Sequence, residues 1–158
     1  MDDILALCHD LPERSFAAGA DMLAEGERSG EVHVLVSGVV GVEVHGVLVK
    51  RVSEPGAFLG EISALLNSTH SARVFAIEPC VTRVMAASAI TENPELLFGM
   101  ARLLAARLHA MTGYLVDLRE QYADSDGHLS VMADVLSELT AARPLSITPG
   151  STRDGYAH

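Results

Sequence analysis

Between positions 14 and 85 glycine recurs at 19, 26, 30, 38, 41, 46, 56 and 60, and the stretches it separates are short and rich in valine. Glycine weakens a helix and supplies the positive φ of tight turns, so a segment cut this often can hold only brief extended pieces. Residues 32–36, 39–44 and 47–49 are β-branched runs with partial alternation. Short strands at regular turn spacing predict an antiparallel sandwich or barrel. His45-Gly46, between two valine runs, reads as a hairpin turn. Residues 74–77 and 81–85 predict two further strands, with Glu78-Pro79 at the turn between them. One stretch breaks the pattern: residues 60–66 are helix formers after a glycine, enough for one or two helical turns.

Helical patterns flank this region. Residues 2–11 predict a short helix capped by Asp2 or Asp3, with Ile4, Leu5, Leu7, Cys8 and Leu11 apolar and Pro12 ending it. Further on the period changes from two to 3.6. Pro94 suits a first helical turn, with Thr91 or Asn93 as its cap. Leu97, Ala101, Leu104, Leu108, Met111, Leu115, Leu118 and Tyr122 then follow at alternating intervals of four and three, an unbroken heptad seam over 26 residues. That is the spacing of a two-stranded coiled coil and favours a homodimer. The alternative is a single amphipathic helix lying on its own domain, which Met100 and Leu103 would assist by widening the early stripe. Gly113, beside the seam, weakens the helix by roughly 1 kcal/mol. Residues 124–127 make a break. Leu129, Met132, Val135, Leu136 and Leu139 predict an additional amphipathic helix within 123–143, and the proline and glycine of 144–158 a flexible tail.

Charge and composition exclude several function classes. Twenty-one acidic residues against eleven basic give a net charge of −10. Such a chain repels phosphate backbones and anionic lipid surfaces, so direct nucleic-acid or membrane binding is not expected. The first residues are acidic where a signal peptide is basic, and no long uncharged apolar run occurs. Two cysteines, Cys8 and Cys80, are too few for a disulfide framework and fit a reducing cytoplasm. The seven histidines include no His-x-His and no pair spaced by four, so a cupin-like metalloenzyme is only a minor alternative and no metal site is expected. No serine has a Gly-x-Ser-x-Gly context, and no catalytic residue is assigned.

Residues 55–76 carry the most information. A glycine turn at Gly60 delivers a short helix whose first amides are unpaired, which suits an anion. Glu61 stands at the same end, placed to accept hydrogen bonds from ligand hydroxyls. The competing reading is a capped apolar helix plugging one end of a β-roll, with Glu61 merely favouring its positive end.

Phe58-Leu59-Gly60-Glu61-Ile62, followed by His70-Ser71-Ala72, resembles the phosphate-binding cassette of cyclic nucleotide-binding domains, as found in the bacterial Crp/Fnr family, cyclic-nucleotide-dependent kinases and gated channels. The upstream pattern Phe16, Gly19, Leu23, Glu25-Gly26-Glu27, Gly30 and the run from Val34 to Val40 resembles the same family. The resemblance spans 14 to about 120 and implies an α+β fold: an eight-stranded antiparallel β-roll of jelly-roll type, with a short N-terminal helix, a cassette helix and a long C-terminal dimerisation helix. Residues 1–122 would form the domain, with the long helix over about 91–122. The resemblance further implies a cyclic nucleotide as ligand, cyclic AMP ahead of cyclic GMP, with no other cofactor. Leu59, Gly60, Glu61, Ile62, Ser63, His70, Ser71, Ala72 and Arg73 become the ligand-binding candidates. Among them, Glu61 matches the residue that binds the ribose 2′-hydroxyl, and Ser71 and Ala72 match positions that contact the cyclic phosphate.

The chain departs from the family twice. The phosphate-binding arginine falls where this chain has His70, and Arg73 is offset by three residues, which on an extended strand turns it to the opposite face. Arg73 substitutes only if 70–73 form a turn. A phosphate favours protonated His70, so affinity is expected to fall as pH rises. The family's transcription factors continue into a winged helix-turn-helix; here 36 residues follow Tyr122 with five acidic and two basic side chains. The expected function is a stand-alone, cytoplasmic, homodimeric regulatory module, not an enzyme, that signals to a downstream protein through a helix shift. The alternative is a degenerate, non-binding homodimeric scaffold of the same fold.

Overall fold

The computed structural model describes residues 2–121. Capping by the Asp2 or Asp3 side chain, the seam position Tyr122, the helix expected within 123–143 and the tail at 144–158 lie outside the described residues. Residues up to 100 form one compact unit, and residues 101–121, the distal part of the long helix, belong to a second.

Among the described residues, eight strands make two four-stranded antiparallel sheets. The strands are β1 (Glu13–Phe16), β2 (Asp21–Leu23), β3 (Glu31–Ser37), β4 (Val40–Val44), β5 (Val47–Val52), β6 (Phe58–Leu59), β7 (Arg73–Ala76) and β8 (Cys80–Ala86). The first sheet runs β1-β8-β3-β6 and the second β2-β7-β4-β5. Their inner faces enclose Leu23, Leu35, Val40, Val52, Ala57, Leu59, Val74, Ala76 and Cys80. This is the antiparallel β-roll rather than a closed barrel.

Alternation places the residues. Val40 pairs with Ala76 and Val42 with Val74, both pairs directed inward, while Gly41 opposite Phe75 and Glu43 opposite Arg73 lie on the outer face. The β4–β5 hairpin turns on His45 at φ 50 and Gly46 at φ 80. Two successive positive φ values form the mirror-image turn whose twist matches paired strands. Beyond it β5 is an edge: among the described residues it pairs with β4 alone, and Val47, Leu48 and Val49 are exposed.

Helices punctuate the roll. The first, α1, covers Asp2–Leu7 and buries Ile4; the expected continuation to 11 becomes looser turns, with Leu11 N–H reaching Cys8 O at 3.0 Å. The cassette helix α2 covers Glu61–Leu66. A further short helix, α3 (Ala87–Glu92), buries Ile90. The long helix α4 runs Pro94–Gln121, so it starts at Pro94 and not near 91. Asn93 is extended at φ −117, ψ 95, because the residue before a proline is pushed out of the helical region. Its Oδ1 accepts from Leu96 N–H at 3.1 Å, which makes Asn93 the cap. Within α4, Leu96 and Met100 are buried. Along the seam Leu97, Leu104, Leu115 and Leu118 are half-buried, while Ala101, Leu108 and Met111 are exposed.

Candidate nucleotide site

The cassette begins where β6 ends. Leu59 is buried in β6, paired with His33 of β3. Gly60 then adopts φ 86, a conformation that strains any residue with a Cβ, and delivers α2. Glu61 and Ser63 turn inward and are buried, whereas Ile62 points out and is 46% exposed. Asn67 closes α2 in a left-handed conformation at φ 50, and Ser68 N–H returns to Ser63 O at 2.9 Å.

His70 packs against the first turn of α2. It is 5% exposed, and both ring nitrogens are engaged. Nδ1 is 2.8 Å from Ser63 Oγ, and the Ser63 hydroxyl donates to Gly60 O at 2.9 Å. Having given its proton to that carbonyl, Ser63 accepts one from His70 Nδ1–H. Nε2 is therefore the acceptor, facing the Ser29 hydroxyl at 2.7 Å and Ser29 N–H at 3.3 Å. With Nδ1 donating and Nε2 accepting, this arrangement suits a neutral imidazole. Burial also lowers the His70 pKa, against an opposing pull from Glu27. The hydrogen bonds around His70 thus fit the uncharged ring, and the expected fall of affinity with rising pH requires a bound phosphate to draw the ring to its charged form.

Arg73 is not brought to this cluster. The chain bends at Ser71 and Ala72 but forms no turn over 70–73, Arg73 already belongs to β7, and its side chain takes the outer face. It reaches Asp21 at 2.7 and 2.8 Å and Glu43 at 3.5 Å, and stacks 4.3 Å above the Phe75 ring. Ser71 is exposed and Ala72 half-buried. The candidates brought together are thus Leu59, Gly60, Glu61, Ser63 and His70, with Ile62, Ser71, Ala72 and Arg73 around or outside them.

The residue that sequence reasoning missed is Ser29. It lies in the β2–β3 connection, 41 positions from His70. The same connection is tied to the cassette by Gly26 N–H to His70 O and His70 N–H to Glu27 O, each 2.8 Å, and by Arg28 to Asn67 Oδ1 at 2.8 Å. A cleft of about 80 Å³ between these groups is lined by Arg28, Ser63, Asn67, Ser68 and His70. Small-molecule pockets run from about 300 Å³ upward, so this cleft alone does not hold a nucleotide.

A second buried histidine stands nearby. His33 in β3 is fully buried, with Nδ1 3.0 Å from Thr82 Oγ1. Its Nε2 has no hydrogen-bond partner and lies 3.6 Å from Glu31, whose carboxylate is forked by Arg14 at 2.9 and 3.2 Å. Burial lowers the His33 pKa, opposed by Glu31. Among the described residues no group of three His, Cys, Asp or Glu stands close enough to hold a metal ion, and no helix is long and apolar enough to cross a membrane.

Solved structures share this architecture. Cyclic AMP-bound PfPKA-R superposes with a TM-score of 0.58 at 19% identity, covering 73% of this chain and 43% of that one. The regulatory domain of Toxoplasma gondii PKA with cyclic AMP gives 0.52 at 19%, covering 61% and 38%. A structure tied to a cyclic-GMP-dependent signalling pathway in bacterial phytopathogenesis gives 0.57 at 22%, covering 70% and 94%. The chain thus spans less than half of the two kinase-regulatory chains. At these identities the likeness is one of fold. No curated protein matches the chain. Residues 13–92, just over half of the sequence, match the cyclic nucleotide-binding domain family, and together with the roll, the Gly60 turn and the buried Glu61 this makes the chain a member of that family.

Proposed function

We propose that this chain is a cytoplasmic, non-enzymatic regulatory module that binds a cyclic nucleotide, cyclic AMP ahead of cyclic GMP, at the cassette. One observation supports the reading: within a domain of this family, a left-handed Gly60 leads into a short helix whose Glu61 and Ser63 are buried. Glu61 takes the ribose hydroxyl, and the backbone of 60–63 with Ser71 and Ala72 takes the cyclic phosphate. The two buried free cysteines suit a reducing compartment.

Signalling runs through α3 to α4. The cassette helix packs against α3, and α3 is pinned at its start by Ala87 N–H to Gly30 O at 2.8 Å. Only Asn93 separates α3 from α4. Ligand that favours one position of α2 therefore biases α3 and the root of α4, as a ligand biases any pair of states it binds unequally. The seam from Leu97 to Tyr122 pairs two copies, and the helix shift is read by a downstream protein.

The neutral His70 and outward Arg73 favour a second reading, in which the same dimer binds no nucleotide and acts as a scaffold. Titration calorimetry against cyclic AMP and cyclic GMP separates the two. The binding reading expects saturable heat with cyclic AMP that falls about tenfold or more in affinity with Glu61→Ala, the loss of a hydrogen bond to a charged group. Absence of heat with both nucleotides at millimolar concentration hands the case to the scaffold.

A further inference from the structure

The β2–β3 connection is tied to the cassette at several points that converge on one ring. Two backbone hydrogen bonds join Gly26 and Glu27 to the main chain of His70. From the far side the Ser29 hydroxyl and amide both face Nε2. Ser29 Oγ in turn accepts from Glu31 N–H at 3.2 Å, which seats it at the start of β3. On the other side of the ring Ser63 carries the contact into the first turn of α2 and the carbonyl of Gly60. A loop residue thus sets the position of the cassette turn through an intervening imidazole.

From this geometry we infer that Ser29 is a positioning residue for the cassette: through His70 it latches residues 24–30 to the first turn of α2, and protonation of His70 releases the latch. The reason lies in the direction of each hydrogen bond. Nε2 is an acceptor between two donors of Ser29, and Nδ1 already holds the ring's one proton. A second proton at Nε2 faces the Ser29 amide donor directly. The Ser29 hydroxyl must rotate to accept, and its bond to the ring is remade in a poorer arrangement. The charged and titratable groups around the ring are Glu27 and Arg28 on the loop and Glu31 with His33 on β3. Glu27 favours the protonated ring and burial disfavours it more strongly. Since the neutral ring fits the latch, the latch holds above the ordinary histidine value of about 6.5 and loosens as pH falls below it.

The consequence for ligand binding rests on the function proposed above; the latch itself does not. The test has two arms so that the two can fail separately. In the first, protection factors of the Gly26 and His70 amides are measured by hydrogen exchange between pH 7.5 and 5.5 without ligand. Wild type loses protection on acidification. His70→Gln abolishes the pH dependence. Ser29→Ala lowers protection roughly fivefold at pH 7.5, the size of one hydroxyl hydrogen bond, and moves the midpoint up toward the free histidine value; Ser29→Thr restores both. A Ser29 that served only packing would change protection and leave the midpoint in place. An unchanged midpoint in Ser29→Ala, or wild-type protection indifferent to pH, overturns the proposal. In the second arm cyclic AMP is titrated into the same proteins, and affinity follows the same midpoints. If no protein binds cyclic AMP while the exchange profiles behave as stated, the latch stands and the nucleotide function falls.

Discussion

Gly60→Ala tests the cassette turn where the geometry is most demanding. The residue sits at φ 86, ψ 7. Placing an L side chain in the left-handed region costs roughly 1–2 kcal/mol. A Cβ there would lie 2.8 Å from Leu23 Cδ1 and 3.2 Å from Glu31 O. Leu23 is buried in the core, and Glu31 O belongs to a sheet strand, so neither yields freely. Overpacking of this kind adds about 1 kcal/mol or more. The sum, about 2–3 kcal/mol, lowers the melting temperature by about 4–12 °C for a chain of this size. Gly113→Ala gives the opposite sign from the same substitution: its Cβ meets nothing within 4 Å, and the helix gains about 1 kcal/mol. Thermal unfolding followed by circular dichroism at one pH compares the two. A Gly60→Ala protein that melts at or above the wild-type temperature would refute the claim that the turn demands glycine.

The surface, the seam and the buried rings yield further expected outcomes. Replacing Leu104 and Leu108 by glutamate converts a dimer to a monomer in light scattering, Leu108 being 47% exposed on one chain; a wild type that is monomeric at high micromolar concentration means that the seam packs inward. Arg73→Ala loses the outer-face contacts with Asp21 and Glu43 and leaves cyclic AMP affinity unchanged, whereas a large loss of affinity would place Arg73 in the site. His33 and His70 both have pKa values lowered by burial, so the fold favours their neutral forms. Their contribution is complete above about pH 6.5 and is lost as pH falls through the lowered values. Melting temperature should therefore be level from pH 8 to 7 and decline between 6.5 and 5, with a shallower decline in His70→Gln; an unchanged slope in that variant excludes His70 as a source.

Legibility in the sequence tracked the length and locality of each element. The valine runs of β3 to β5 announced themselves because alternation and a positive-φ turn are local properties. Glu13–Phe16, Asp21–Leu23 and Phe58–Leu59 did not, since strands of two to four residues exist only through their partners: Phe58 and Leu59 are a strand because Val34 and His33 lie opposite. The short α3 buries only Ile90 and shows no period to read. At the site, Gly60 and Glu61 were visible as a glycine turn before helix formers. Ser29 was not, because a serine four residues after Glu25 carries no pattern until folding sets it against a ring 41 positions away.

The strand order has a consequence for how the chain is assembled. β8 lies between β1 and β3, and β7 between β2 and β4, so each sheet takes one of its two interior strands from late in the roll. The link between them is residues 77–79, held by Ile77 N–H and Glu78 N–H on the carbonyl of Val39. During synthesis β1 to β6 emerge with gaps in both sheets; no N-terminal fragment ending before Arg73 can close the second sheet, and none ending before Cys80 the first. Two keystones strung on a three-residue cord make folding of the roll a single late event, and the loop-closure entropy of joining Glu13 to Arg83 falls due only then.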